Sequence, residues 1–275
     1  MNTAEQVTQL KKDFDEVEQS GYIKGEGVGR TLGYNYGWND GLQQGMADGR
    51  HAEWDDFWDN FQVPVGGDGA PRTVNPYAFY YWNMRNFKPK YDVRFIPVGT
   101  GAGADNVFAY TYMSKNDDGS GGGVAYDLKQ LLDDSGVRLI TTGVKNVVSM
   151  FYASGVARIP SLDFSAASNI SNIFAGCSFL ETIDEIIVSS TTPAFGNAFH
   201  GCSNLKNLTI TGELAKSGSN FAPCTALTHD SLMSIINALK TYTSGTYSIN
   251  LGSTNLAKLT DAEKAIATEK GWTLS

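Results

Sequence analysis

Apolar residues recur at helical intervals along the first sixty positions. Val7, Leu10, Phe14 and Val17 are spaced three, four and three apart, the seam of a coiled coil. Charged residues flank them (Lys11, Lys12, Asp13, Asp15, Glu16, Glu18). The seam predicts an amphipathic helix over 3–20, which either self-associates or packs on its own protein. Farther on, Trp54, Phe57, Trp58 and Phe61 fall at i, i+3, i+4 and i+7, a single aromatic face. That stripe reads as a docking face, with Glu53, Asp55, Asp56 and Asp59 on the solvated side. Between the two, glycine stands at 21, 25, 29, 33, 37, 41, 45 and 49, a period of four. A glycine inside a helix costs about 1 kcal/mol against alanine. A helix built on this ladder therefore needs compensation, and close backbone approach supplies it where small-residue ridges meet. Gly33, Gly37, Gly41 and Gly45 join the apolar seam as candidate oligomerisation residues. The other reading is a flexible glycine-rich tether, against which Tyr22, Tyr34, Tyr36 and Trp38 argue for packing. Residues 1–62 are thus expected to be a helical, glycine-periodic stalk for oligomerisation or anchoring.

A different pattern governs the second half. Phe151, Phe174, Phe199 and Phe221 lie 23, 25 and 22 residues apart, within the leucine-rich-repeat range. Three residues after each comes Ser154, Cys177, Cys202 or Cys224. An apolar pattern leading into a strand follows, clearest in Leu205, Leu208 and Ile210. Looser copies run through Val156–Phe164 and through Leu180, Ile183 and Ile186–Val188. A degenerate earlier copy runs from Phe108 through Leu131 and Leu132 to Val137, Leu139 and Ile140. Stacked turns place equal positions in columns, so Phe fills one column under the convex side. A small buried Cys or Ser lets the chain turn tightly, since free Cys behaves as a small hydrophobe. At the end, Thr228 is a helix cap before Leu232, Ile235, Ile236 and Leu239, and Tyr247–Leu251 reads as a strand. Thr260 and Glu263 form a capping box opening a helix that ends at Gly271, and Trp272–Leu274 is the last strand. The expected class is α/β, a leucine-rich-repeat solenoid over 106–275 with its own C-terminal cap.

The stretch between, 63–105, mixes five prolines with glycine clusters and a ring-dense run, Pro76–Phe87. Long regular elements are not expected there. It reads as a connector or as a cap over the solenoid's open apolar end, which needs covering.

Charge sharpens the division. Residues 1–62 hold 12 of the 29 acids and 5 of the 21 bases, a balance of −7, while the other 213 residues, with 17 acids and 16 bases, are close to neutral. An acidic front excludes nucleic acid as its partner, since phosphate binding needs clustered Lys and Arg. Three cysteines make a poor disulfide framework. No secretion signal opens the chain and no run of 18 apolar residues predicts membrane insertion.

Candidate chemistry is sparse. Gly25–Gly29 and Gly99–Gly103 only faintly resemble phosphate loops, and neither sits between a strand and a helix in a βαβ pattern. Asn116–Gly119 lacks the acid ladder of a calcium loop, and Gly119–Gly123 reads as a loop. His51, His200 and His229 form no constellation, and no nucleophile elbow or zinc motif is present. No catalytic residue, metal site or cofactor is expected.

The Phe-x-x-Cys-x-x-Leu text (Phe174–Leu180, Phe199–Leu205, Phe221–Leu227) resembles the leucine-rich repeats of bacterial surface proteins and of proteins from phages and prophages of gut bacteria. The ending, Leu227–Leu239 with Leu259–Trp272, is similar to a recurrent ending of that group. The tyrosines among spaced glycines, Ala52–Asp59 and Phe87–Asp92 resemble its phage members. This resemblance implies a non-catalytic virion structural or attachment protein, made in the bacterial cytoplasm and released by lysis. Its implied partners are further copies of itself, other virion proteins, and a host surface protein or glycan. A bacterial adhesin or stand-alone binding module is the alternative. Recognition is all such repeats imply, because fold does not name a ligand.

Overall fold

The computed structural model describes residues 63–64, 72–73, 79, 83–95, 104, 106–115 and 123–275. All of them belong to one compact unit, Gly49–Ser275. The seam of Val7, Leu10, Phe14 and Val17, the glycines 33, 37, 41 and 45, and the stripe of Trp54, Phe57, Trp58 and Phe61 lie outside the described residues. So do Gly99–Gly103 and Asn116–Gly119.

Among the described residues the first strands are β1 (Val63–Pro64), β2 (Arg72–Thr73), β3 (Val93–Arg94), β4 (Met113–Ser114), β5 (Gly123–Val124) and β6 (Tyr126–Asp127). Helix α1 (Leu128–Ser135) follows, then β7 (Leu139–Ile140), β8 (Val156–Ile159), β9 (Leu162–Asp163), β10 (Thr182–Val188), β11 (Asn207–Gly212) and β12 (Ser219–Asn220). The end of the chain carries α2 (His229–Ala238), β13 (Tyr247–Asn250), α3 (Ser253–Leu256), α4 (Asp261–Glu269) and β14 (Trp272–Leu274). The fold is mixed α/β. Strands β6, β8, β10 and β11 are parallel neighbours, with β9 also parallel to β10. Strands β12, β13 and β14 form a second parallel sheet, and β3 pairs with β7 in parallel. The pairs β1–β2 and β4–β5 are antiparallel. None of these sheets closes into a barrel.

A column of phenylalanine rings runs through the core. Successive centroids lie 5.1 Å apart for Phe79–Phe108, 5.2 Å for Phe108–Phe151, 5.7 Å for Phe151–Phe174, 5.3 Å for Phe174–Phe199 and 5.0 Å for Phe199–Phe221. These spacings follow from the backbone, because parallel neighbours sit about 4.8 Å apart and carry equal positions into register. The N–H of Phe108 donates to the Met150 carbonyl (2.7 Å), that of Phe151 to Ile173 (2.8 Å) and that of Phe174 to Ala198 (3.0 Å). Phe79 donates likewise to Val107 at 2.9 Å, so the column begins inside the 63–105 stretch. At the other end Phe221 donates to Asn250, and the buried Leu251 stands where the next ring would be.

Three of the rings are framed by left-handed backbone on both sides. Asn106 and Tyr110 flank Phe108 with φ of 52° and 56°, and Ser149 and Ala153 flank Phe151 with φ of 53° and 51°. Asn172 (φ 55°) and Gly176 (φ 82°) do the same around Phe174. Left-handed backbone costs a side-chain-bearing residue roughly 1–2 kcal/mol, which the buried ring and its ladder bond offset.

The long strand β10 has two interrupted neighbours on one side. Its residues Thr182 and Ile183 pair with Arg158 and Ile159 of β8, and Ile186 and Ile187 pair with Leu162 and Asp163 of β9. Pro160, which has no N–H to give a ladder, falls in the break. One turn earlier α1 is inserted between β6 and β7, held by Asp127, whose carboxylate accepts the Gln130 N–H, and closed by Gly136 at φ 67°. This helix was not expected; Leu132 is buried on it as a helical contact. Gly123 departs from the loop expected over Gly119–Gly123. It pairs with Ser114 in β5, where a side chain would press on Tyr112 at 3.1 Å.

Helix α2 covers the open edge of β11. Thr228 caps it as expected, and Leu232, Ile235 and Ile236 are buried. Its serines face the strand backbone: Ser231 Oγ accepts the Leu208 N–H at 2.9 Å and donates to the Lys206 carbonyl at 3.0 Å. Ser234 Oγ accepts the Ile210 N–H at 2.7 Å. An edge strand that would template further pairing is thereby occupied. The capping box of Thr260 and Glu263 is present on α4, and β14 pairs with β13.

Gly212 ends β11 at φ 91°, and a Cβ there would lie 1.9 Å from the Val188 carbonyl oxygen. Gly212→Ala is expected to lower stability by about 2 kcal/mol or more, through strain and a backbone clash together. Urea unfolding measures it; a loss under 0.5 kcal/mol would mean that β11 does not end against Val188.

Candidate functional site

Two surfaces compete for a functional role. The first is the outward face of β8, β10 and β11. Between Ile183 and Ile186 the register slips, so Asp184 and Glu185 together oppose Thr209 alone. This bulge turns both carboxylates toward solvent. Arg158 meets Asp184 at 2.9 Å, Lys206 meets Glu181 at 3.0 Å, and Glu185 accepts from Ser161 (2.9 Å) and Thr211 (2.8 Å). Asn207 donates to Thr182 at 3.2 Å. These polar side chains are engaged by neighbours one turn away, which commits them to the cohesion of the face.

The second surface is a cleft of about 180 Å³ beside the early turns. It is lined by Tyr110, Tyr112, Val124 and Phe179 around Gly155 and Gly176, among others, and none of its described lining residues carries a charge. Its origin is a step in side-chain size at one column position, where Tyr110 is followed by Ala153 and Gly176. Gly176 packs tightly there, since a Cβ would come 3.2 Å from Ala153 Cα. Val124 and Phe179, 37% and 50% exposed, are the exposed large apolar side chains among the described residues, and both lie on this cleft.

Beneath the cleft the polar groups are already satisfied. Thr111 Oγ1 donates to the Phe108 carbonyl at 2.7 Å and also pairs with the Tyr126 hydroxyl. Burial pushes the Tyr126 phenol well above its usual range. Ser154 Oγ lies 3.5 Å from Cys177 Sγ.

The cysteines and rings singled out from the sequence all lie in the interior. Phe151, Phe174, Phe199, Phe221, Cys177, Cys202 and Cys224 are fully buried, and the thiols are free. Burial raises the Cys177 thiol to about 11 and Cys224 to about 12, and raises Cys202 further. A thiol so protonated is a poor nucleophile and metal ligand. Two of them act as hydrogen-bond donors as well as small apolar groups. Cys177 Sγ donates to the Phe151 carbonyl at 2.8 Å and Cys202 Sγ to the Phe174 carbonyl at 3.1 Å.

Compared with family models, curated proteins and solved structures, the chain finds no match. Its chemistry rests on its own residues. Among the described residues, no group of three or more His, Cys, Asp and Glu is placed to hold a metal ion, and no helix is long and apolar enough to cross a membrane. His229 Nε2 lies 2.8 Å from Glu263 Oε1, joining α2 to α4. The carboxylate raises the imidazole's pKa, and the backbone of Thr260 followed by His229 lowers that of Glu263. His200, one residue after Phe199, is exposed.

Sequence reasoning did not find the cleft, although one signal was available. Between Cys and Leu the turns read Ser178-Phe179, Ser203-Asn204 and Thr225-Ala226. Phe179 is a lone ring where the other copies place a polar or small residue.

Proposed function

We propose that residues 106–275 form a leucine-rich-repeat solenoid, and that the chain is a non-catalytic phage virion component, a fibre or host-recognition protein. The observation that carries this reading is the ring column, whose Phe-centred turns recur every 22 to 25 residues from Phe151 to Phe221 with parallel strands between them. Phe79 extends the column into 63–105, which supports a capping role for that stretch. The acidic segment 1–62, with its seam and glycine ladder, is the proposed site of self-association and of attachment to other virion proteins. The solenoid then presents a surface to a host protein or glycan.

Light scattering on the full-length protein tests the fibre. A discrete trimer or higher oligomer is expected, with a fragment of residues 63–275 remaining folded, β-rich and monomeric. A monomeric full-length chain would overturn the fibre and leave a stand-alone binding module. A fragment that unfolds would place residues 1–62 in the core.

A further inference from the structure

We infer that the cleft between Tyr110, Tyr112 and Phe179 is a carbohydrate subsite, taking the apolar face of one uncharged sugar ring. The proposal deepens the recognition reading above and rests on it.

Size sets the first limit. Clefts that enclose a drug-sized ligand run to roughly 300–1,000 Å³, whereas this one has about 180 Å³. It has room for one ring of a larger ligand, with the rest of the chain outside.

Charge sets the second. No described lining residue is acidic or basic. A carboxylated or sulfated sugar, or a charged side chain, would enter without a counter-charge and lose hydration uncompensated. The described lining therefore favours a neutral ligand.

Surface chemistry sets the third. Phe179 and Val124 hold apolar area in water at one place, although the fold buries or half-buries the other large apolar side chains described. An exposed ring beside hydroxyl-bearing side chains suits a ligand with an apolar C–H face and a polar edge. Tyr112 and Ser178, which carry hydroxyls, are among the residues lining the cleft. The groups below, Thr111 and Ser154, are already engaged, so polar contacts come from the rim and the floor supplies shape. A peptide side chain would use the apolar part alone and leave the hydroxyl rim idle.

The test is saturation-transfer NMR on the full-length protein with glucose, galactose, mannose and N-acetylglucosamine, and with glucuronate as a charged counterpart. Transfer to the ring C–H protons of at least one neutral sugar is expected, and none to glucuronate. Phe179→Ala should weaken that binding about tenfold, the equivalent of about 1.4 kcal/mol. Phe179 is half exposed, so its truncation leaves the core intact. Phe179→Asn, which copies the next turn's Asn204, is the second variant should the first not fold. Absence of transfer from every neutral sugar, or binding unchanged in these variants, would overturn the site. Displacement of the sugar by N-acetylphenylalanine amide at lower concentration would assign the cleft to a peptide side chain instead. A monomer that binds the sugar keeps this site and loses the fibre; an oligomer that binds none does the reverse.

Discussion

Replacing Asn255 with leucine is expected to destabilise the protein by about 3–5 kcal/mol, although the two side chains are close in size. Asn255 is fully buried. Its amide nitrogen reaches the carbonyls of Phe221 (3.4 Å), Cys224 (3.2 Å) and Leu251 (2.9 Å), and its oxygen accepts from Lys258 Nζ at 3.0 Å. Earlier in the column the Phe carbonyl is served by the thiol of the following turn, as Cys177 serves Phe151 and Cys202 serves Phe174. After Phe221 no further Phe-x-x-Cys turn follows, and Asn255 takes over the thiol's task. Leucine would fill the space and leave polar groups in a dry interior. Lys258, whose ammonium also donates to the carbonyls of Thr225 and Leu227, would lose one of its acceptors. Urea unfolding is the measurement, with the midpoint falling and the slope unchanged. A loss below 1 kcal/mol would show that the column's end is closed by apolar packing alone.

The role of Asn255 was not legible in the sequence, and the reason is physical. A buried asparagine differs from a surface one only through what surrounds it. Residues defined by local spacing were legible. The Phe and Cys columns, the cap at Thr228, the capping box at Thr260 and the strand at Trp272 depend on neighbours within a few positions. Interruption hid the rest. Phe108 and Phe151 stack at 5.2 Å, within the range of the other column pairs, yet 43 residues separate them because α1 splits the strand between. Phe79 lies among the rings of Pro76–Phe87, and no cysteine follows it at the repeat distance to mark it as a column member. Tyr110 and Ala153 give no outward sign of left-handed backbone, whereas Gly176 and Gly201 do at the same column position. The cleft joins residues 110–112, 123–124, 153–155 and 176–179, which meet only after three turns have stacked. Serines 231 and 234 also carried no signal, because a helix serine that bonds a neighbouring strand looks like any other in the chain.

Truncating a column ring that meets three others should have an effect of similar size by a different route. Phe199→Ala is expected to cost about 3–5 kcal/mol, the range for buried aromatic truncations. Phe199 is fully buried and meets three rings, Phe174 at 5.3 Å, Phe195 at 5.6 Å and Phe221 at 5.0 Å. Phe151 meets only two rings of the column, Phe108 and Phe174, and its truncation should fall toward the lower end. Collapse around a missing ring is limited, because the parallel ladder holds the turns at strand spacing whatever fills them. The cavity term therefore persists instead of relaxing away. Phe199→Leu should recover most of the loss, since Leu251 already occupies the column's last place without exposure. Because Phe174 and Phe199 share a contact, the double alanine variant should lose less than the sum of the two singles. Thermal and urea unfolding of these variants measure this directly. Strict additivity, or a Phe199→Ala loss near 1 kcal/mol, would mean that the rings are independent fillers and that the strand ladder alone sets the stability of the stack.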